Sequence, residues 1–237
     1  MEQRRKIYTS FHDLSPSEYM YFPKGTLEGG SPGRFSSIEI KQLLISMGVL
    51  TVAFSFAFSG NSLLLGIRSV DRLLNALPIA FLGILSAFFV HEISHKFMAQ
   101  RYGLWSEYRM YPRGLLLSLL FAVFTGFVFA APGAVMFRGE TGSYQTGRIA
   151  AAGPSANIVI AAITYPLYQF VFFETSFLGK IVGFICLINA LFGTFNLLPF
   201  GPLDGTKVLR WNGIVWATLF ICGIIMMILI FPIAPLF

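Results

Sequence analysis

"LPIAFLGILSAFFVHEISHKFMAQ", residues 77–100, decides the fold. Leu77 to Val90 are uncharged and almost wholly apolar, and His91, Glu92, His95 and Lys96 follow without a break. An apolar run of this kind, extended upstream to residue 73, suits a helix crossing a bilayer core about 30 Å thick, which takes around 20 residues. Ionisable side chains at the end of a lipid-embedded helix are expensive unless they are partnered. The stretch therefore predicts both a membrane fold and a polar site built at the end of one span.

Composition agrees with the first half of that reading. Of 237 residues, 55% are hydrophobic and 12% charged, whereas ordinary soluble domains have roughly 45–50% and 25%; mean hydropathy is +0.70. The chain reads as an all-α polytopic membrane protein. Its net charge of +6 is spread in ones and twos between apolar runs, which disfavours nucleic-acid binding and makes anionic lipid headgroups of the bilayer the expected partner. Cys186 and Cys222 sit inside apolar segments without metal or redox spacing and read as packing residues. Residues 1–40 are polar and rich in Gly, Ser and Pro, with no apolar stretch suited to a cleavable signal. They are expected to form an extended tail before a membrane-embedded domain over 41–237, and His12 in that tail is expected to be solvated.

Six segments are long and apolar enough to be candidate spans: 42–59, 73–98, 115–131, 149–173, 179–200 and 211–235. If all six cross, eleven Lys and Arg residues lie on the side of the N-terminus and six on the other. If 115–131 dips in and returns, Arg138, Arg148, Lys207 and Arg210 join the N-terminal side, Lys180 leaves it, and the split becomes fourteen to three. The positive-inside rule prefers the second arrangement, with five crossings and a cytoplasmic N-terminus in the cell membrane. Thr125, Gly126, Pro132 and Gly133 interrupt that segment, so a re-entrant, strand-like excursion between the second and third spans is expected.

On a helix, positions i and i+4 lie on one face, so His91 and His95 would offer two imidazole nitrogens to one metal ion, with Glu92 rotated about 100° to the side. The HExxH pattern suits two zinc ligands plus a carboxylate that activates the metal's water. A catalytic zinc needs a third protein ligand. Asp204, in "FNLLPFGPLDGTKV" (195–208), is the acid apart from Glu92 embedded in an apolar, turn-rich context, where Pro199, Gly201, Pro202 and Gly205 break the helix. With Asp204 and Glu92 ionised and both histidines neutral, a divalent cation would be balanced in a low-dielectric setting. The re-entrant topology is what would bring Asp204 to the side on which His95 emerges.

HEISH, "AAGPSAN" (151–157) and "NLLPFGPLDG" (196–205), in this order on a polytopic chain, resemble the site-2 proteases, the intramembrane zinc metalloproteases of peptidase family M50. The resemblance spans roughly residues 40–210. It implies His91, His95 and Asp204 as ligands of one Zn2+, Glu92 as general base, Asn196 as a donor to the reaction's oxyanion, and Asn157 as a contact for substrate backbone. It implies a transmembrane protein as substrate, a strand-forming region matched in position by residues 105–137, and a minimal enzyme without an appended PDZ or CBS domain. Two other readings use the same side chains: a divalent-metal transporter and a catalytically inactive membrane binding protein. Transport does not require the glutamate of HExxH, and inactivity would follow from loss of a ligand or base, all of which are present. The sequence leaves the oligomeric state open.

Overall fold

The computed structural model describes residues 35–64, 66, 69–128, 132–138, 141–172 and 176–230. Most of the expected tail, His12 included, lies outside them. Five helices are long and apolar enough to cross a membrane: α1 (Ser37–Ser59), a 32-residue helix over Val70–Arg101, α5 (Ser143–Phe170), α6 (Phe177–Asn196) and α8 (Gly213–Ile230). The 32-residue helix is α2 (Val70–Ile84) and α3 (Val90–Arg101), joined through one π turn at Leu85–Phe89. Between the spans lie strand β1 (Trp105–Met110), short helix α4 (Pro112–Thr125), strand β2 (Gly133–Arg138) and short helix α7 (Asp204–Trp211). Five of the six expected spans thus coincide with the five long helices.

Local chemistry accounts for the helix ends. Ser36, Ser69 and Ser176 each accept a hydrogen bond from the backbone N–H three residues on, capping α1, α2 and α6. Gly60 ends α1 and Gly126 ends α4, both in the left-handed region, where a side chain would be strained.

The sixth apolar segment does not cross. At about 1.5 Å per residue, the 14 residues of α4 reach about 21 Å, short of a bilayer core. The connection also closes on itself. β1 and β2 pair antiparallel from Trp105↔Arg138 to Met110↔Gly133, and Tyr111 N–H donates to the Pro132 carbonyl at 2.8 Å, so the chain leaves and returns at one point. The strand-like character expected of 115–131 is confined to its flanks. Its described core is helical because "LLLSLLFA" is rich in Leu and Ala and Pro112 stands in the first helical turn, where its missing N–H is harmless.

Side chains of α1 and α3 cover the outer edge of β1. Glu39, fully buried, accepts from Tyr108 N–H at 3.0 Å and from Lys96 Nζ at 2.8 and 2.9 Å; Lys96 also donates to the Ser106 carbonyl, and Gln42 accepts from Met110 N–H. The start of α1 therefore belongs to the packed structure from Ser37, inside the stretch read as tail. Tyr108, buried between Ser46 and the Pro132 carbonyl, has its phenol pushed up from the ordinary value by burial. Apolar packing closes the rest: Leu43, Met47, Leu50, Ile84, Phe88 and Leu115 join α1, α2, the π turn and α4, while Ala161, Tyr168, Cys186, Ala190, Met226 and Ile230 join α5, α6 and α8.

Candidate metal centre

α3 enters the site from the π turn, and the extra residue of such a turn rotates all that follows by about 100°. His91 and His95 consequently face α5 and α7, both buried. Their Nε2 atoms lie 3.0 Å apart, and Asp204 Oδ2, at the first residue of α7, is 3.3 Å from that of His91 and 3.0 Å from that of His95. Among the described residues, these three form a group whose ligand atoms all fall within 4.8 Å of one another.

Asp204 reaches the histidines because the chain breaks after α6. Leu197 to Leu203 turn without forming a helix, and Trp216 Nε1 donates to the Leu197 carbonyl at 2.7 Å, satisfying backbone that the break leaves open. Gly205 makes the return possible: a Cβ there would stand 2.1 Å from the Leu197 carbonyl oxygen. The other Asp204 oxygen, Oδ1, receives Lys207 Nζ at 3.2 Å. Burial alone would raise this carboxyl, and the Lys207 ammonium beside it opposes that rise.

The hydrogen bonds behind the rings test whether the group fits a metal. His95 Nδ1 faces the Ile149 carbonyl at 2.7 Å, an acceptor only, so that nitrogen carries the proton. His91 Nδ1 faces Asn157 Oδ1 at 2.5 Å, and Asn157 Nδ2 is spent on the Ala87 carbonyl and Asn189 Oδ1, so the oxygen must point at the ring. With both Nδ1 protonated, two neutral imidazoles turn their Nε2 lone pairs toward a carboxylate oxygen. Three acceptors converging in a buried place need a cation between them. Room for it is kept by Gly153 of α5, where a Cβ would lie 2.4 Å from His95 Nε2 and 2.7 Å from His91 Nε2.

A relative decides the family. A protein of Methanocaldococcus jannaschii provisionally named a zinc metalloprotease (MJ0611) is 37% identical over 185 residues, covering 78% of this chain and 90% of its own length. The chain belongs to this zinc metalloprotease family, site-2-protease-like in kind. A second member from the same organism, the zinc metalloprotease MJ0392, is 26% identical over 133 residues, covering 56% of this chain and 33% of that protein. No protein-family model and no solved structure matches the chain. With the donor set above, membership makes one zinc ion the cofactor of this metalloprotease chain.

The remaining expected site residues fall in three places. Glu92, 7% exposed beside the triad, accepts from the Val135 N–H of β2 at 3.0 Å, so the edge of β2 turned away from β1 faces the site. Asn196, the last residue of α6, donates from Nδ2 to the Phe192 carbonyl at 3.0 Å. Asn157, expected at the substrate backbone, is fully buried behind His91, with its hydrogen bonds spent on His91, the Ala87 carbonyl and Asn189. Sequence reasoning missed Gly153 as the residue that makes room for the ion, the buried Glu39–Lys96 pair, and Asn189. The last was discoverable, since an amide in the apolar run "FICLINALFG" must find a partner within the protein.

Proposed function

We propose that this chain is an intramembrane zinc endopeptidase that cleaves transmembrane segments of other membrane proteins, with one membrane-embedded catalytic domain that starts at Ser37, a few residues before the expected 41. The observation that carries the proposal is the convergence of His91, His95 and Asp204 at the end of a lipid-embedded helix with Glu92 beside them. A zinc ion held by these three would lower the pKa of a water toward ~7 and polarise a peptide carbonyl. Glu92 then takes the water's proton as attack proceeds and delivers it to the leaving amine. Asn196, whose Nδ2 carries a second hydrogen, donates to the oxygen on which negative charge develops.

Substrate must be extended to be cut, because helical backbone buries its carbonyls. β2 offers the means: its outer edge is free for strand addition, whereas that of β1 is taken by Glu39, Gln42 and Lys96. A strand arriving on β2 would take the Val135 N–H from Glu92 and release the carboxylate at the moment substrate is present. The excess of Lys and Arg supports an orientation with the N-terminus and the opening of the site on the cytoplasmic side.

The test compares wild type with Glu92→Gln, purified and assayed for zinc and for cleavage of a panel of transmembrane peptides. Equal zinc with cleavage by wild type alone is expected. Equal cleavage by both would remove Glu92 as the base, and metal flux into liposomes abolished by Asp204→Ala would favour a transporter.

A further inference from the structure

Behind the zinc ligands runs a chain of three polar side chains whose hydrogen bonds permit one orientation each. Asn189, on α6 and fully buried, donates from Nδ2 to the Ile185 carbonyl and to Ser86 Oγ, each at 2.9 Å. The Ile185 carbonyl can only accept, and the Ser86 hydroxyl spends its proton on the Gly83 carbonyl. Asn189 Oδ1 must therefore point at Asn157, where it accepts from Nδ2 at 2.8 Å. Asn157 Nδ2 donates its other hydrogen to the Ala87 carbonyl, inside the π turn, at 2.9 Å. The Asn157 oxygen is thereby left for His91 Nδ1–H.

We infer that Asn189 and Asn157 form a buried amide relay that holds His91 in its Nδ1–H tautomer, aims its Nε2 lone pair at the metal, and pins the π turn that sets the phase of α3. Both asparagines are positioning residues. The relay ties three spans together, α6 through Asn189, α5 through Asn157 and the π-turn helix through Ser86, Ala87 and His91. It explains why two amides are kept in apolar helices: each has its polar atoms matched, and an unmatched amide there would be penalised. Gly193 on α6 lets the relay close, since a Cβ there would stand 3.0 Å from Asn157 Cβ. Hydrogen-bonding partners of metal-bound histidines typically change metal affinity 10–100-fold when removed.

The inference rests on His91 and His95 being zinc ligands, and the experiment separates the two claims. Zinc dissociation constants are measured by chelator competition on the full chain in detergent for wild type, His95→Ala, Asn157→Leu, Asn157→Asp and Asn189→Leu. Thermal unfolding of each metal-free protein supplies an independent measure of packing. Leu and Asp at 157 both abandon Ala87 and Asn189, but Asp keeps an oxygen for His91 Nδ1–H. The relay requires Asn157→Leu to lose about 10–100-fold in zinc affinity, Asn157→Asp to recover most of it even where metal-free stability falls equally, and Asn189→Leu to lie between wild type and Asn157→Leu. Equal affinity in the Leu and Asp variants would reduce Asn157 to helix–helix packing and overturn the relay while leaving the ligand assignment intact. Zinc bound normally by His95→Ala would overturn the ligand assignment itself.

Discussion

Gly153 and Gly205 show how little freedom single residues have at this centre. The first leaves the volume in which two Nε2 atoms and a carboxylate oxygen meet, and the second lets α7 start against the Leu197 carbonyl so that Asp204 arrives there. Gly153→Ala adds one methyl group in the place meant for the ion, so zinc content should drop below one-tenth of wild type while the helices stay folded by circular dichroism. Normal zinc loading of that variant would mean the ion sits elsewhere. His91, Glu92, His95 and Asp204 were legible in the sequence because ionisable residues in apolar surroundings are rare enough to count. Gly153 was visible only as a residue permitting close approach, since which atoms approach it depends on the rotation of α3 through a π turn that no spacing rule announces. For Asn157 the motif names the residue, but only packing shows that its side chain meets His91 and Asn189.

Among the elements, the pair β1 and β2 does the most to shape the site. One edge is closed by α1 and α3 side chains, and the other meets Glu92 through the Val135 N–H. Val135→Pro removes that donor and blocks strand addition at the same register. Cleavage of transmembrane peptides should fall by at least tenfold with zinc content unchanged; unaltered cleavage would exclude β2 as the docking strand. The strands themselves were foreshadowed by position, within 105–137, but the helix between them was not. Its apolar residues pointed to membrane depth, while Thr125, Gly126, Pro132 and Gly133 were read as interrupting a span when they end a helix and restart a strand.

At the scale of the whole molecule, a buried ion pair locks the first spanning helix, α1, to the metal-site helix. Glu39 at the start of α1 and Lys96 next to His95 are both fully buried, and breaking such a pair on one side typically destabilises by about 3–5 kcal/mol. Glu39→Gln should therefore lower thermal stability markedly, and Glu39→Leu with Lys96→Met should recover a large part of it. A Glu39→Gln protein as stable as wild type would show that the pair does not hold α1 to the metal-site helix. The charge asymmetry makes a second prediction at this scale: cysteines replacing Arg101 and Arg210 should react with an impermeant maleimide from the cytoplasmic side, and labelling of either from outside would reverse the orientation. Topology was legible from charge counting because turning 115–131 back improved the bias and brought Asp204 to His95 together. The Glu39–Lys96 lock was hidden, since a glutamate near the end of a polar tail reads as solvated until tertiary structure buries it. All of these features serve one centre, and zinc K-edge X-ray absorption on the purified, zinc-loaded chain tests it most directly. Two imidazole nitrogens and oxygen neighbours at about 2.0–2.2 Å are predicted; a sulfur neighbour at about 2.3 Å, or fewer than two imidazoles, would contradict it.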